Sequence, residues 1–233
     1  QMIDSDAVVP VQSCFEAADY DTSDHLQAVL DQYTVNDIVW PMPFNASNPV
    51  LYYNGRDFTE AGLNPDEPPQ TLDEVYEAAK QITESGAAKQ GMAIELQPWY
   101  PEQLFALAGE PIVNNDNGRS ARATEALLAD APVGTEIYEW VDRLIDDGYA
   151  LNVGRNPSGA DHLLAIAAGN AAMTIGTSAA LGSIYDVLAG DPDLASQVDI
   201  RVAPLPGNQG GGVVVGGGAL WLVESASDEE RAA

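Results

Sequence analysis

The sequence is poor in basic residues. Against 36 Asp and Glu, its 233 residues include nine Lys and Arg, which gives a formal net charge of −27. Nucleic acids and anionic membrane surfaces are repelled by such a charge, so we expect neither as a partner. The acidic residues are spread along the chain and the lysines are only Lys80 and Lys89. This composition predicts a salt-adapted source, since salt screens the self-repulsion of an acidic surface.

Cysteine and histidine are scarce as well. A single cysteine, Cys14, excludes an internal disulfide, and His25 and His162 are too few for the usual Cys/His zinc site. No Gly-x-Ser-x-Gly or His-Glu-x-x-His motif occurs. A Cys14–His25 dyad is conceivable, but an isolated buried cysteine is the commoner case. The sequence therefore favours a protein that is not an enzyme, with no metal and no cofactor.

Long apolar runs are missing too. A membrane-spanning helix needs about 20 consecutive apolar residues, and no run in this chain approaches that length. The chain begins at Gln1 with no basic-then-apolar signal peptide. Near its other end, Ser227-Asp-Glu-Glu230 has the pattern of a capping box, with only three residues after it. We expect the sequence to be a piece of a longer protein.

Helical and strand-like patterns alternate along the chain. The clearest helix opens with the capping box Thr71-Leu-Asp-Glu74 and stops at Gly86. Apolar periodicity predicts further helices at residues 24–33 (with Ser23 as its cap), 101–108, 135–147, 160–168 and 179–189. Short apolar runs predict strands at residues 50–53, 91–95, 171–175, 200–203 and 219–223. This alternation predicts an α/β class with helices covering a mixed sheet.

The glycine-rich stretch Gly210-Gly-Gly-Val-Val-Val-Gly-Gly-Gly218 allows two interpretations. A phosphate loop needs glycines that lead into a helix, usually with a Lys-Ser or Lys-Thr pair. Here the strand-like Ala219-Leu-Trp-Leu-Val223 follows, and no lysine is near. The pattern favours a strand pair whose glycines let the backbone approach a ligand or another strand closely.

Trp99 is a candidate for contact with a ligand. It lies in Gln97-Pro-Trp-Tyr-Pro101, which the prolines predict to be a loop before a helix. An aromatic ring fixed on a loop can stack on a small molecule. It can equally pack over the end of its own helix, and the sequence leaves both alternatives open.

An ordered set of motifs resembles one known family. Met42-Pro-Phe-Asn-Ala-Ser-Asn-Pro-Val-Leu-Tyr-Tyr-Asn54 is similar to the first interlobe crossing of extracellular solute-binding proteins of ABC importers, in the branch that binds glycerol 3-phosphate and glycerophosphodiesters. Further family-like motifs follow in the same order: Phe58-Thr-Glu-Ala-Gly-Leu63, Pro69-Gln-Thr-Leu-Asp-Glu74, Ala168-Gly-Asn-Ala-Ala-Met173, Val202-Ala-Pro-Leu-Pro206 and Gly216-Gly-Gly-Ala-Leu-Trp221. The resemblance covers essentially the whole chain.

This resemblance implies a fold and a function. The fold is periplasmic-binding-protein type II-like, with two lobes and a hinge: residues 1–45 and 200–233 belong to an incomplete lobe one, and residues 46–199 form lobe two. The implied function is that of the substrate-binding component of an ABC transporter, which captures glycerol 3-phosphate or a glycerophosphodiester in the interlobe cleft. We expect a periplasmic or extracellular monomer, tethered as a lipoprotein in its full-length form, with membrane permease subunits as partners.

The same resemblance implies ligand contacts at Ser47, Trp99, Thr177, Ser178 and Gly217. Glycerol 3-phosphate binders carry a second tryptophan where this chain has Leu96, which favours a larger head group such as that of a glycerophosphodiester. None of the nine basic residues falls at these contact positions, although a phosphate is usually bound by an arginine or a helix N-terminus. An uncharged sugar or oligosaccharide is therefore the alternative ligand.

Overall fold

The chain divides into two units, one of them formed by two separated segments. The computed structural model describes residues 2–155, 160–207 and 210–227. Unit one consists of Gln1–Ser47 together with Val215–Ala233, and unit two is the continuous segment Asn48–Val214. Each unit has its own sheets, and the five-stranded sheet belongs to unit two.

Unit one is built from short elements. Its helices are α1 (Gln12–Ala18) and α2 (Gln27–Gln32), and its first strand is β1 (Val8–Val9). The other strands pair as antiparallel ladders: β2 (Thr34–Val35) with β3 (Ile38–Val39), β4 (Met42–Pro43) with β10 (Ala219–Leu220), and β1 with β11 (Leu222–Val223). The predicted cap of α2 is wrong. Leu26 precedes the helix without a capping side chain, because the Ser23 hydroxyl donates to Asp21 instead, at 2.9 Å.

Unit two contains a mixed five-stranded sheet in the order β7-β6-β8-β5-β9. Its strands are β5 (Pro49–Asn54), β6 (Gln90–Glu95), β7 (Ala150–Gly154), β8 (Ala171–Thr177) and β9 (Ile200–Pro204). β6 runs parallel to β7 and β8, whereas β5 is antiparallel to β8 and β9. The helices of the unit are α3 (Gly55–Glu60), α4 (Leu72–Ser85), α5 (Trp99–Ala108), α7 (Pro132–Asp146), α8 (Asp161–Ala167), α9 (Leu181–Gly190) and α10 (Pro192–Ala195), and the segment α6 (Asn114–Gly118) is a single turn whose three central residues have left-handed backbone angles.

The core of unit two lies on both faces of this sheet. Along β5, Leu51 and Tyr53 belong to a large apolar cluster that includes side chains of α4, α5 and α7. Tyr52 belongs to a second cluster with Ile166 of α8 and Ile184 of α9. Successive side chains of a strand point to opposite faces of the sheet, so helices cover both faces. The predicted α/β class with a mixed sheet is confirmed.

The strongest local signal along the chain, the start of α4, folds as predicted. Thr71 Oγ1 accepts from the Glu74 backbone N–H at 3.1 Å, and Glu74 Oε2 accepts from the Thr71 N–H at 3.2 Å. The helix ends at Gly86, which has a φ of 77°. A reciprocal cap of this kind satisfies N–H groups that a helix start otherwise leaves free. The capping box predicted at residues 227–230 lies, apart from Ser227, outside the described residues.

The return from unit two to unit one comes later in the chain than predicted. The prediction placed it at residue 200, but β9 pairs with β5 from Ile200 to Pro204, which keeps this segment in unit two. Residues 210–214 then pack on α5. The backbone N–H groups of Gly210 and Gly211 donate to the Leu107 carbonyl at 2.9 and 2.7 Å, and that of Val214 donates to Gln103 Oε1 at 2.9 Å.

Candidate ligand-binding site

One edge of the five-stranded sheet collects three of the predicted site residues. Because β6 and β8 are parallel and β5 is antiparallel to β8, the ends of β6 and β8 lie at the same edge as the start of β5. Thr177 is the last residue of β8, Ser178 follows it, and Trp99 comes shortly after the end of β6. In open α/β sheets, ligands bind beyond the carboxyl ends of the strands. This edge of unit two is therefore the candidate site.

The two hydroxyl residues at this edge are fixed by backbone contacts. Ser178 pairs with Asn48 through its backbone N–H, which donates to the Asn48 carbonyl at 2.8 Å, and through its Oγ, which accepts from the Asn48 N–H at 3.0 Å. Thr177 Oγ1 accepts from the Ala179 N–H at 3.3 Å, and the Thr177 carbonyl accepts from the Tyr52 hydroxyl at 2.7 Å. In these contacts both hydroxyls act as acceptors, so each retains a proton that it can donate to a ligand oxygen.

Trp99 starts a helix, and the predicted loop is wrong at this point. α5 begins at Trp99 and not at Pro101, because proline is compatible with the first turn of a helix and Pro98 and Pro101 both fit there. The indole is half-buried and meets the Tyr100 ring edge to face, with centroids 5.1 Å apart and planes at 76°. Its position in a helical first turn, against a neighbouring ring, limits the orientations that it can adopt.

Sequence reasoning missed a buried polar cluster beside Trp99. Glu95, at the end of β6, is 5% exposed, and His162 of α8 is 3% exposed. Glu95 Oε2 accepts from the Tyr100 hydroxyl at 2.9 Å, and Glu95 Oε1 accepts from the Gln97 side-chain amide. His162 Nδ1 lies 3.2 Å from Glu95 Oε2, outside hydrogen-bond geometry. One signal was available, since a glutamate that ends an apolar run needs buried partners.

Burial sets the protonation of this cluster. It lowers the pKa of His162, and the nearby Glu95 carboxylate opposes that shift only in part. Burial also raises the pKa of Tyr100, and the hydrogen bond to Glu95 raises it further. At neutral pH the imidazole is therefore neutral and the phenol is a hydrogen-bond donor.

A largely apolar pocket of about 280 Å³ opens next to this cluster. Its walls come from the end of β6, from α5 and from α7. Leu96 and Tyr138 line it and are 45% and 51% exposed, and Glu95 is among its few polar groups. The space beside Leu96 can accommodate a group of moderate size with apolar character.

The other two predicted site residues lie in unit one. Ser47 and Gly216 exchange backbone hydrogen bonds of 3.0 and 2.8 Å in an antiparallel bridge. The neighbouring Gly217 has a φ of 122°, and a Cβ at this position would overlap the carbonyl oxygen of Asn45. The contact between the two backbone segments therefore requires glycine here. This agrees with the interpretation of the glycine-rich stretch as one that allows close backbone approach.

In the part of the chain that the structure describes, no group of three or more His, Cys, Asp or Glu side chains is placed so that it could hold a metal ion. Arg155, a basic residue, directly follows β7 at the same edge of the sheet as Trp99, and it is exposed. Candidate contacts in unit two are therefore hydroxyl, indole and guanidinium groups.

Solved structures share the fold of this chain. UgpB from Mycobacterium tuberculosis in complex with glycerophosphocholine matches with a TM-score of 0.76 at 20% identity, over 99% of this chain and 54% of its own. The GacH receptor of Streptomyces glaucescens, solved without ligand and with acarbose, matches with a TM-score of 0.72 at 24% identity, over 97% of this chain and 54% of its own. The predicted periplasmic-binding-protein type II-like fold is thereby confirmed.

The family follows from the sequence comparison. The family model for bacterial extracellular solute-binding proteins matches residues 1–233, so the chain belongs to this family, as the ordered motifs indicated. The sn-glycerol-3-phosphate-binding periplasmic protein UgpB of Rhizobium meliloti (strain 1021) is 33% identical over 231 residues, which cover 96% of this chain and 51% of that protein. Its namesake in Salmonella typhimurium (strain LT2) is 29% identical, over 98% of this chain and 51% of that protein.

The chain thus spans about half the length of the curated relatives it matches.

Within the described residues, no helix is both long enough and apolar enough to span a bilayer.

Proposed function

We propose that this chain is part of the substrate-binding component of an ABC importer and that it captures glycerol 3-phosphate or a glycerophosphodiester without turnover. The observation that carries the proposal is the placement of Trp99, Thr177 and Ser178 at one edge of the sheet. The 33% identity to a protein named for glycerol 3-phosphate binding supports this ligand class.

The chemistry at this edge suits a glycerol phosphate. The hydroxyls of Thr177 and Ser178 can donate to phosphate or glycerol oxygens, and the indole of Trp99 can pack on the carbon backbone. The contacts that the family resemblance assigns to Ser47 and Gly217 are part of the same proposal.

The pocket beside Leu96 favours a glycerophosphodiester over glycerol 3-phosphate. A volume of about 280 Å³ with mostly apolar walls leaves room for a head group on the phosphate. A side chain as large as tryptophan in place of Leu96 would fill part of this space.

The proposal includes a location and partners. We place the protein in the periplasm or outside the cell, as a monomer tethered by a lipid anchor in its complete form. Its partners are the membrane permease subunits of the importer, and nucleic acid is not among them. The net charge of −27 is consistent with the last point, since phosphate backbones repel acidic proteins.

An uncharged sugar is the second candidate ligand. In its favour, none of the five proposed contact residues is basic. Arg155 provides a way to separate the two candidates, because its charge should strengthen the binding of a phosphate more than that of a neutral sugar. Replacing Arg155 with Ala should weaken binding of the phosphorylated ligand and leave sugar binding unchanged.

Calorimetry tests the proposal with three probes: glycerophosphocholine, sn-glycerol 3-phosphate and maltose. The titrations should use both the 233-residue chain and the complete product of the gene that encodes it. We expect one molecule of a phosphorylated probe to bind the complete product and to be recovered intact by mass spectrometry. Binding of maltose alone would replace the phosphate assignment with the sugar alternative. Recovery of a hydrolysed probe would overturn the binding function itself.

A further inference from the structure

We infer that Glu95 is a positioning residue for Trp99: its buried carboxylate holds the first turn of α5 and thereby sets the direction in which the indole points. The inference rests on the proposed function for one point, the contact between Trp99 and the ligand. The hydrogen bonds from Gln97 and Tyr100 to Glu95 lie entirely within unit two.

Glu95 accepts hydrogen bonds from residues on both sides of Trp99 in the chain. Glu95 ends β6, and its side chain turns inward, where it is almost completely buried. Oε1 accepts from the amide of Gln97, which precedes Trp99, and Oε2 accepts from the hydroxyl of Tyr100, which follows it. Residues 97–100, the segment that includes Trp99, therefore donate two side-chain hydrogen bonds to a single carboxylate.

Because the Glu95 carboxylate is buried, breaking its two hydrogen bonds is costly. Moving an ionised group out of water is costly unless its oxygens accept hydrogen bonds. If residues 97–100 moved away from Glu95, its carboxylate would lose the donors of Gln97 and Tyr100 together. The conformation in which both donors reach the carboxylate is therefore favoured over alternatives for this segment.

Contact with the Tyr100 ring restrains the orientation of the Trp99 indole. Its hydroxyl is fixed by Glu95, and its ring meets Trp99 edge to face with centroids 5.1 Å apart. The ring of His162 is also nearly perpendicular to the Tyr100 ring, with centroids 6.3 Å apart and planes at 86°. Since His162 is on α8, directly before β8, the cluster also links the Trp99 segment to the strand that ends in Thr177.

The first test needs no ligand. Tyr100→Phe removes the hydroxyl and keeps the ring. Tyr149→Phe is the matched control, because the Tyr149 hydroxyl also donates to a carboxylate, that of Glu84, but at an exposed site. The distance from that hydroxyl to Glu84 Oε1 is 3.0 Å. The chain is labelled with 5-fluorotryptophan, and the Trp99 resonance is assigned by its loss in Trp99→Phe. We expect Tyr100→Phe to shift and broaden the Trp99 fluorine resonance while the Trp140 resonance stays in place. Tyr149→Phe should change neither resonance.

An unchanged Trp99 resonance in both Tyr100→Phe and Glu95→Ala would overturn the inference. Glu95→Gln gives a graded control, since its side-chain oxygen can still accept from one donor. It should shift the Trp99 resonance less than Glu95→Ala does. Circular dichroism of each variant establishes that the fold is retained, and Tyr100→Phe, the smallest of these changes, decides the question if a Glu95 variant does not fold.

The second test is a double-mutant cycle with glycerophosphocholine as the probe and the complete gene product as the protein. If Tyr100 acts through Trp99, Tyr100→Phe should weaken binding about 3- to 30-fold when Trp99 is present and have no further effect in Trp99→Ala. An equal loss in both backgrounds would overturn the inference. If neither background binds the probe or glycerol 3-phosphate, the proposed function fails, while the fluorine experiment still decides the positioning role.

Discussion

Asp57, on α3, is a buried acidic residue, 8% exposed. Its side chain hydrogen-bonds with Asn54, but within the described part of the chain its Oδ2 atom has no hydrogen-bond partner. Burial raises the pKa of Asp57 from 3.8 to about 6, and the hydrogen bond to Asn54 opposes this shift only in part. The folded state therefore holds the proton of Asp57 more tightly than the unfolded chain does.

This shift gives a pH-dependent prediction for Asp57→Asn. Because the pKa of the folded state is the higher one, the Asp57 contribution to stability is greatest below about pH 4 and falls as the pH rises through about 6. Asparagine keeps the shape and removes the charge. We expect Asp57→Asn to raise the free energy of unfolding by about 1–3 kcal/mol at pH 7 and to change it little at pH 4.

Urea unfolding at the two pH values measures the effect of Asp57→Asn. Asp142→Asn, on the exposed face of α7, is the control for the loss of one negative charge, and its effect should be small at both values. A stability gain in Asp57→Asn that is the same at pH 4 and pH 7 would contradict the prediction.

Trp99→Ala should affect binding more than folding. The truncation removes the ring proposed to stack on the ligand, so we expect affinity to fall by about 1–3 kcal/mol. The indole is half-buried at a helix start, so the free energy of unfolding should fall by less than about 1 kcal/mol. Calorimetric titration and thermal unfolding measure the two quantities.

Trp140, which is 5% exposed in the core of unit two, is the control for Trp99. Trp140→Ala should destabilise the fold by about 3–5 kcal/mol. If Trp99→Ala lowered the melting temperature as much as Trp140→Ala and left affinity unchanged, Trp99 would be structural.

At the residue scale, the sequence predicted features that are local. Thr71, Glu74 and Gly86 were identified correctly because a cap depends on residues only a few positions apart. The contact between Tyr100 and His162 spans 62 positions, and no local pattern pairs such residues. Trp99 was placed wrongly because the flanking prolines fit a helical first turn as well as a loop.

Segment 210–214 and helix α5 fit together closely, and Gly211 is one of the two residues of closest approach. A Cβ at Gly211 would overlap the carbonyl oxygen of Ala106, whereas one at Gly212 would meet nothing within 4 Å. We expect Gly211→Ala to destabilise unit two by about 1–3 kcal/mol through this overlap. Gly212→Ala is the matched control and should change stability by less than about 0.5 kcal/mol. Equal effects in denaturant unfolding would show that the segment does not pack on α5.

At the scale of elements, most strands of the five-stranded sheet were predictable, and the two-residue strands of unit one were not. The strands β5, β6, β8 and β9 coincide with predicted runs: β5, β6 and β8 are largely buried inside the sheet of unit two, and β9 is its edge strand. β7 was missed, since Asn152 interrupts its apolar sequence. The predicted single strand at residues 219–223 is two strands, β10 and β11. They pair with different strands, β4 and β1, and a local sequence pattern does not reveal such pairing.

The charge of the whole molecule predicts a dependence on salt. At a net charge of −27, self-repulsion destabilises the folded state when it is not screened. We expect the melting temperature to rise steadily as sodium chloride is raised from about 10 mM to about 1 M, a range over which the Debye length shrinks from about 30 to 3 Å. Sucrose at equal osmolality serves as the uncharged control. A melting temperature independent of salt would contradict the prediction and the salt-adapted source.

Unit two should survive limited proteolysis as one piece. It is a continuous segment with its own sheet and core, whereas unit one combines two separated segments with strands of two residues each. We expect a resistant fragment close to residues 48–214, with the first cuts in unit one. Mass spectrometry gives the ends of the fragment. A stable product that ends near residue 199, without β9, would support the boundary predicted from the sequence.

The bridge between Ser47 and Gly216 also constrains the order in which the molecule can form. All of unit two lies between these two residues in the chain. A ribosome that adds about 5–20 residues per second needs roughly 10–30 s to make that intervening segment. Throughout this interval β4 and Ser47 have been synthesised but their partners have not, while the sheet of unit two is being completed. Ser47 and β4 are therefore made before unit two, but they reach their native pairing only after unit two has been synthesised.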